Sequence, residues 1–522
     1  MSIDTPAWVR DAVFYQIFPD RFASSVRVRK PGRLEAWDAP PSHFGFKGGD
    51  LLGVVERLDH IASTGANAIY LNPIFSSASN HRYHTYDYLA VDPLLGGDAA
   101  LRELLDAAHA RGMRVILDGV FNHASRGFWP FHHVLETGAG SPYRDWFHYD
   151  HEWLESGRPL RAYASDAELA AAAAHAGSGR SAVSRLGYDA WWGMPALPKL
   201  NTDSPDVREY LFRVAEHWIR FGADGWRLDV PLEIRDEGFW REFRRRVRAI
   251  DPEAYLLAEV WHEGPEYLQG DQYDAFMNYP LTYAIIGFTG GPHVDLRVAA
   301  QQNEYRQNVR ALDALAFAER LDHVLGVNHP DVTAVQFNLL GSHDTPRFRS
   351  LVGGDPGSMY LATLVQMTLP GAPSIYYGDE IGMAGEHDPD CRRSFPWDHP
   401  EVWDTALLAY IGRVATLRHA HRALRDGGYR RLAADGYVVA YLRMDEADAF
   451  VAAVNAGTSA SEVAIEVPEL VGRELLVEPI DGRAASVVVT AAGENDGGSS
   501  TGRFSVSLPP RTGALLRAGT AG

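Results

Sequence analysis

Four carboxylates sit at the ends of short apolar runs, and each stands beside a histidine, an arginine or an asparagine. They are Asp118 in V-I-L-D-G-V-F-N-H, Asp229 in G-W-R-L-D-V, Glu259 in L-L-A-E-V-W-H and Asp344 in L-G-S-H-D-T-P-R. An acid in an apolar strand is costly unless it is paired or hydrogen-bonded. A single case is explained by a structural ion pair. Four such cases on separate strands are hard to explain as packing. Carboxylates that converge from such positions can break a glycosidic bond: one protonates the leaving oxygen while another attacks or stabilises the oxocarbenium-like carbon. A separation of about 5–5.5 Å between these two would give retention through a covalent intermediate.

The elements that must position these groups follow from periodicity. Strand-like runs at Ala12–Phe18, Ala68–Leu71, Arg114–Phe121, Gly225–Val230, Tyr255–Val260, Tyr273–Asn278, Ala334–Ser342 and Pro373–Tyr377 alternate with helical patterns. The helices include Ala99–Ala110, Pro205–Phe221, Phe239–Ala249 and Ser358–Thr368. Eight strands alternating with helices predict an α/β fold, a parallel (β/α)8 TIM barrel whose strand ends share one rim. An open doubly wound sheet is the competitor, but no Gly-rich phosphate fingerprint follows the first strand. About 80 residues separate the third strand from the helix near Ser204, far more than an ordinary βα loop. They are rich in aromatics, among them Trp129, Trp146, Trp153, Trp191 and Trp192, and include an Ala-rich helical piece at Leu169–Ala174. This stretch predicts a lobe over the barrel mouth. A second long connection, Leu281–Asp331, has helical periodicity and is expected to add to the rim.

From about Gly427 the pattern changes to short alternating strands, such as Tyr437–Arg443, Ala449–Asn455 and Glu474–Glu478, with a Gly/Ser-rich hairpin tip at Gly493–Gly502. That predicts a C-terminal antiparallel β-sandwich. The expected division is a barrel over residues 1–122 and 204–426, an inserted lobe over 123–203, and a sandwich over 427–522.

Composition narrows the partners. The chain has 522 residues, 49 Lys and Arg against 68 Asp and Glu, and a formal charge of −19. That balance disfavours nucleic acid, whose binding draws on cations that neutralise phosphates. A neutral sugar is not repelled, and the 13 Trp and 23 Tyr offer faces for its flat C–H surfaces. No run of 18 apolar residues is present to span a membrane. Met-Ser-Ile-Asp-Thr-Pro lacks a basic n-region and an apolar h-region, so no secretory signal is expected. Cys391 is the single cysteine, which excludes an intrachain disulfide and a Cys-based zinc site. A cytoplasmic protein is expected.

The ordered motifs D-G-V-F-N-H (118–123), G-W-R-L-D (225–229), A-E-V-W (258–261), S-H-D-T-P-R (342–347) and P-G-A-P-S-I-Y-Y-G-D-E (370–380) resemble those of the α-amylase superfamily, glycoside hydrolase family 13. Each motif is weak alone, but the ordered set is specific, and the likeness runs through essentially the whole chain. The resemblance implies the same three-part architecture. It makes Asp229 the nucleophile, with Arg227 on the same strand face keeping it ionised. It makes Glu259 the acid/base, carrying a proton in the free enzyme, and Asp344 the third carboxylate, which holds sugar hydroxyls. His123 and His343 would hydrogen-bond the sugar, and Tyr83 would stack on it. Asp118 and Asn122 would brace loops.

Within the superfamily, M-P-A-L-P-K-L-N (194–201) resembles the M-P-K-L-N signature of cyclomaltodextrinases, neopullulanases and maltogenic amylases, and Glu233 and Trp240 fit the same group. Trp261 and His262 would shape the leaving-group side. The implied substrates are cyclodextrins and other α-glucan oligosaccharides, cleaved with retention to maltose and glucose. The alternatives are an exo-acting α-glucosidase, a trehalose- or sucrose-type transglycosylase or isomerase on the same machinery, and a catalytically dead binding barrel.

Some features depart from the group. Val230-Pro231-Leu232-Glu233 replaces V-A-N-E, which changes the acceptor side. The first barrel strand begins near residue 12, without the β-domain that pairs subunits in the group, so a monomer is expected. The loop after Phe22 reads Ala23-Ser24-Ser25-Val26 rather than a run of oxygen ligands. Hard cations need six or more oxygens. Asp50 is a possible remnant ligand, but a structural calcium is not favoured and no cofactor is required. The histidines at 132–133 and at 148 and 151 are read as loop residues without a third, acidic ligand.

Overall fold

The computed structural model describes residues 2–165, 167, 182–481, 487–491 and 502–519. Eight short strands form its centre: β1 (Phe14–Ile17), β2 (Ala68–Leu71), β3 (Arg114–Gly119), β4 (Gly225–Leu228), β5 (Tyr255–Ala258), β6 (Ala275–Phe276), β7 (Phe337–Leu339) and β8 (Ala372–Tyr376). All pair in parallel in the order β6-β5-β4-β3-β2-β1-β8-β7. A parallel bridge from Met277 to Phe337 joins the two ends of the sheet. The sheet is thus a nearly closed (β/α)8 barrel, as the alternation predicts. Its strands are buried on both faces, which is why they read as continuous apolar runs rather than alternating ones. Gly225 is required where β4 begins, because a Cβ there would stand 2.3 Å from the Tyr255 carbonyl oxygen of β5.

The helices bury one stripe each. Gly97–His109 turns Leu101, Leu104, Leu105 and Ala108 inward at helical spacing. Pro205–Arg220 starts on a proline at its first position, where the missing N–H costs nothing. The connection after β6 differs from a simple rim. Its helix Tyr279–Gly290 is buried almost throughout and packs on Ala314–Gly326 and Pro356–Thr368 as part of the outer layer. Its apolar residues leave it no solvent face.

The insertion between β3 and Pro205 carries helices Trp129–Thr137, His151–Glu155 and Ala182–Leu186. Antiparallel bridges His123–Lys199, Phe147–Leu200, Tyr149–Tyr188 and Ala190–Pro198 tie its two ends together. Aromatic packing fills it, with Phe131 against Phe147 and Tyr188 at ring separations of 5.0 and 4.9 Å. His132 and His133 belong to the first of these helices and His151 opens the second, so the loop reading holds only for His148. Pro130 near a helix start and Asp150 as a cap are the local reasons. The Ala-rich piece Leu169–Ala174 and the hairpin tip over 493–501 lie outside the described residues.

After the barrel, strands Gly428–Asp435, Val438–Met444, Ala449–Asn455, Thr512–Ala518 and Leu475–Val477 form one antiparallel sheet. Ser461–Glu466, Arg503–Leu508 and Val488–Ala491 form a second. Alternation assigns the faces. Val438, Ala440 and Leu442 pack toward the second sheet with Val463, Phe504 and Val506, while Val439 and Tyr441 join the barrel core. Among the described residues no helix is long and apolar enough to cross a membrane.

Candidate active site

Strand register sets the site. Asp118 pairs with Arg227 across β3 and β4, and Leu228 pairs with Ala258 across β4 and β5. Asp229 and Glu259, one residue further on, therefore emerge side by side at the same rim. Arg227 is fully buried beneath them. Its Nη1 lies 2.9 Å from Asp118 Oδ1 and 3.0 Å from Asp229 Oδ1, and its Nη2 lies 2.9 Å from Glu259 Oε2. One cation thus faces three anions. Burial and the Glu259 carboxylate push the Asp229 carboxyl well above its ordinary range, against the pull of Arg227. The Arg227 charge is divided among Asp118, Asp229 and Glu259.

Asp118 ties the Tyr83 turn to the barrel strands and to Arg227. It accepts from the Tyr70 hydroxyl at 2.6 Å, the Tyr83 hydroxyl at 2.8 Å and Arg227. Asn122 stays with the loops, its carbonyl accepting from Leu200 N and its amide lying 3.2 Å from His123 Nδ1.

Tyr83 lies in the turn of a hairpin, Phe75–Ser77 with Thr85–Val91, that rises after β2. Its ring is parallel to His343 at 5.4 Å, and its hydroxyl is 2.6 Å from His343 Nε2. The amide nitrogens of Gln16 and Asn72 both point at His343 Nδ1 from 3.0 Å. Two donors on Nδ1 make it the acceptor and leave the proton on Nε2, which lies 3.0 Å from Asp344 Oδ2. Arg392 reaches the other oxygen of Asp344 at 3.1 Å. Burial opposes a charge on Asp344, but His343 and Arg392 outweigh it and hold the carboxyl below the usual range.

Trp261 touches Glu259 directly. Its indole N–H donates to Oε1 at 3.0 Å, and its ring lies flat on Tyr279 at 3.7 Å. The second oxygen of Glu259 accepts from the backbone N–H of Val230 at 3.0 Å. Val230 holds φ 35°, ψ 50°, a left-handed conformation that a β-branched residue rarely adopts. His262 does not join the site: it is exposed, with its ring on the Glu263 carbonyl.

His123 is 2% exposed, and burial holds its ring neutral, its pKa pushed down to about 3. Its Nε2 has no hydrogen-bond partner in the protein, so a donor or acceptor is available to a ligand. Glu233 lies 3.4 Å from Lys199 Nζ. Glu233 and Lys199 line a cavity of about 380 Å³ with Asn122, His148 and Arg235.

Several groups escape the sequence motifs: Tyr70, Gln16, Asn72, Tyr279 and Arg392. Asn72 carries the same signal as the acids, a polar residue at the end of an apolar strand, and Gln16 is a polar residue inside one. Arg392 has no such signal, since a loop brings it 48 residues back to Asp344. Cys391 beside it is buried, its thiol pushed up to about 12 by that burial.

The surroundings of Asp50 do not suit a cation. Asp50 is fully buried, and its oxygens already receive Gly53 N at 2.7 Å, Ser25 N at 2.9 Å and the Lys30 ammonium at 3.0 Å. Lys30 also donates to the Leu94 carbonyl. An ammonium in this place does not fit a bound calcium. Among the described residues no three His, Cys, Asp or Glu side chains cluster as metal ligands.

A nearly closed (β/α)8 barrel with clustered carboxylates at its strand ends is the apparatus of a glycosidic-bond hydrolase. Residues 16–406 match the family described as alpha amylase, catalytic domain. The chain belongs to the α-amylase family of glycoside hydrolases. It is 43% identical over 460 residues to a cyclomaltodextrinase of a Bacillus species, covering 86% of this chain and 73% of that protein. Ttha1563 of Thermus thermophilus superposes with a TM-score of 0.84 at 45% identity, over 98% of this chain and 100% of that one. The debranching enzyme of Nostoc punctiforme does so with 0.83 at 43%, over 99% and 100%.

Proposed function

We propose that the protein is a retaining α-glucan hydrolase acting on cyclodextrins and maltooligosaccharides, on α-1,4 and also α-1,6 bonds, with maltose and glucose as main products. The single observation behind this reading is that one guanidinium, Arg227, gathers Asp229 and Glu259 side by side. Neighbouring positions on adjacent strands suit two acids that act on one bond. Relatives named cyclomaltodextrinase and debranching enzyme support the substrate class and the two linkages.

In the first step the Glu259 carboxyl gives its proton to the glycosidic oxygen and Asp229 attacks the anomeric carbon. The carbon–oxygen bond breaks, and a glycosyl ester forms on Asp229. In the second step Glu259 takes a proton from water, which displaces Asp229 and restores the original anomer. Asp344, oriented by the Nε2–H of His343, holds hydroxyls of the reacting sugar, His123 Nε2 takes another, and Tyr83 lies against the ring. Trp261 and Glu233 face the leaving side. Arg227 orders the carboxylates rather than the sugar. A sugar hydroxyl in place of water would give transglycosylation, the second reading. The two carboxyl groups carry every proton and bond change in these steps, so the proposed reaction draws on no metal. We place the protein in the cytoplasm, where a lone buried thiol stays reduced.

The test is incubation with β-cyclodextrin, soluble starch, pullulan and maltotriose, with early products resolved and their anomeric form read by NMR. Rapid opening of the cyclodextrin to α-anomeric maltose and glucose supports the reading. Inert cyclodextrin, with glucose released from short chains only, makes the protein an exo-acting α-glucosidase.

A further inference from the structure

Trp191 and Trp192 stand in the lobe between two segments that bridge to each other, Ala190 with Pro198 and His123 with Lys199. Trp192 is 79% exposed and adopts φ 51°, ψ 19°, and Gly193 after it is also left-handed at φ 68°. Leaving an indole in water forgoes the burial that large aromatics usually find. Holding it left-handed costs about 1 kcal/mol more. The turn is nonetheless fixed. Trp191 N donates to Leu197 O at 2.9 Å, Gly193 N to Ala190 O at 2.9 Å, and Met194 N to Trp191 O at 3.0 Å. A rigid, strained turn thus presents a ring that the core does not use.

The ring is aligned with the reaction site. Trp192 stacks on Trp191 at 5.1 Å with 20° between planes, and Trp191 is parallel to His123 at 6.1 Å with 5° between planes. His123 is the buried ring whose Nε2 lacks a protein partner. A ladder of three near-parallel rings therefore runs from the sugar-contacting end of the site to solvent. Its outer face is flat, apolar and uncharged, which suits the C–H face of a glucose ring.

We propose that Trp191 and Trp192 form a stacking platform that holds glucosyl units of a long α-glucan beyond the units at the cleavage point. The protein thereby favours extended or cyclic chains over trisaccharides. This rests on the α-glucan reading given above.

The test compares kcat/KM on maltoheptaose with that on maltotriose in the wild type and in Trp192→Gly and Trp191→Ala. The expected result is a fall of roughly tenfold in the maltoheptaose-to-maltotriose ratio, carried by KM. Maltoheptaose should also bind Glu259→Gln more tightly by calorimetry than it binds Glu259→Gln/Trp192→Gly. Because glycine relieves the left-handed strain, Trp192→Gly is expected to melt no lower than the wild type, which separates the platform from a structural role. An unchanged ratio with equal binding overturns the platform. So does a wild-type dimer that Trp192→Gly dissociates while the ratio stays put, since the ring then serves a second copy of the chain. Failure of the wild type on every α-glucan tested instead overturns the functional reading, and the platform with it.

Discussion

The backbone N–H of Val230 donates to Glu259 Oε2 at 3.0 Å from a left-handed conformation, φ 35°, that valine tolerates poorly. Pro231 follows it, and the Trp240 indole holds the Pro231 carbonyl at 3.1 Å. The strained residue is thus held in place by its neighbours and aims one donor at the proposed acid/base.

Val230→Gly should accordingly separate stability from activity. Glycine accepts the conformation without strain, so unfolding free energy should rise by about 1 kcal/mol. The freer backbone no longer fixes Glu259, and kcat/KM should fall about tenfold. Denaturant melts and initial rates on one oligosaccharide check both. Loss of stability together with activity would show that the valine side chain, not the backbone, matters there.

Trp261→Phe removes the indole donor from Glu259 Oε1 while keeping a ring to lie on Tyr279. A hydrogen bond to a carboxylate contributes about 1.5–3 kcal/mol. The expected loss is about tenfold or more in kcat with little change in KM, measured by steady-state kinetics. A change confined to KM would make Trp261 a sugar contact only.

How much of this was legible follows from where the information lies. All eight barrel strands were legible because a strand buried on both faces is a continuous apolar run. Most of the expected limits ran long, most of all at Ala334–Ser342, where only Phe337–Leu339 pairs as strand. Apolar content marks a buried run, whereas pairing is decided by the neighbouring strand. The acids were legible because a charge at the end of such a run has a high cost. The spacing of Arg227 and Asp229 gave a shared face but not that Glu259 and Asp118 would share the same cation, since that depends on register between strands. Arg392, delivered by a distant loop, left no periodic trace.

Chelators should leave the protein intact. Lys30 supplies the positive charge beside buried Asp50, so EDTA is expected to leave the thermal midpoint unchanged. Lys30→Met keeps the stem but strands the carboxylate, and should destabilise the fold by about 3 kcal/mol. A melting point that drops with EDTA and recovers with calcium would place a cation at this site after all.

The raised carboxyl of Asp229 makes a prediction about stability and pH. Its pKa is higher in the folded state than in the unfolded chain, where an aspartate titrates near about 3.9. The folded state therefore binds the extra proton, and the stability this contributes is complete below the unfolded value and lost as pH rises through the folded one. Asp229→Asn has no charge to bury, so its thermal midpoint should exceed that of the wild type increasingly as pH climbs through that window, and by a constant margin above it. Melting curves between pH 4 and pH 8, about four units apart, measure it. A wild type that is the more stable protein at the alkaline end would mean that Arg227 outweighs burial and Glu259.

The same coupling should be visible in catalysis. With an α-maltosyl fluoride the leaving group needs no proton, so Glu259→Gln retains a measurable glycosylation rate and its acidic limb reports ionisation of Asp229. Glu259 is, after burial, the larger of the causes that raise Asp229. Replacing it with a neutral amide removes that repulsion and leaves Arg227 to Asp118 and Asp229 alone. The limb should then move to lower pH than in the wild type on the same substrate. An unmoved limb would mean that burial alone sets the ionisation of Asp229. A limb moved to higher pH would mean that Glu259 stabilises the Asp229 charge through the shared arginine, and the two acids could not then hold one proton between them in the free enzyme.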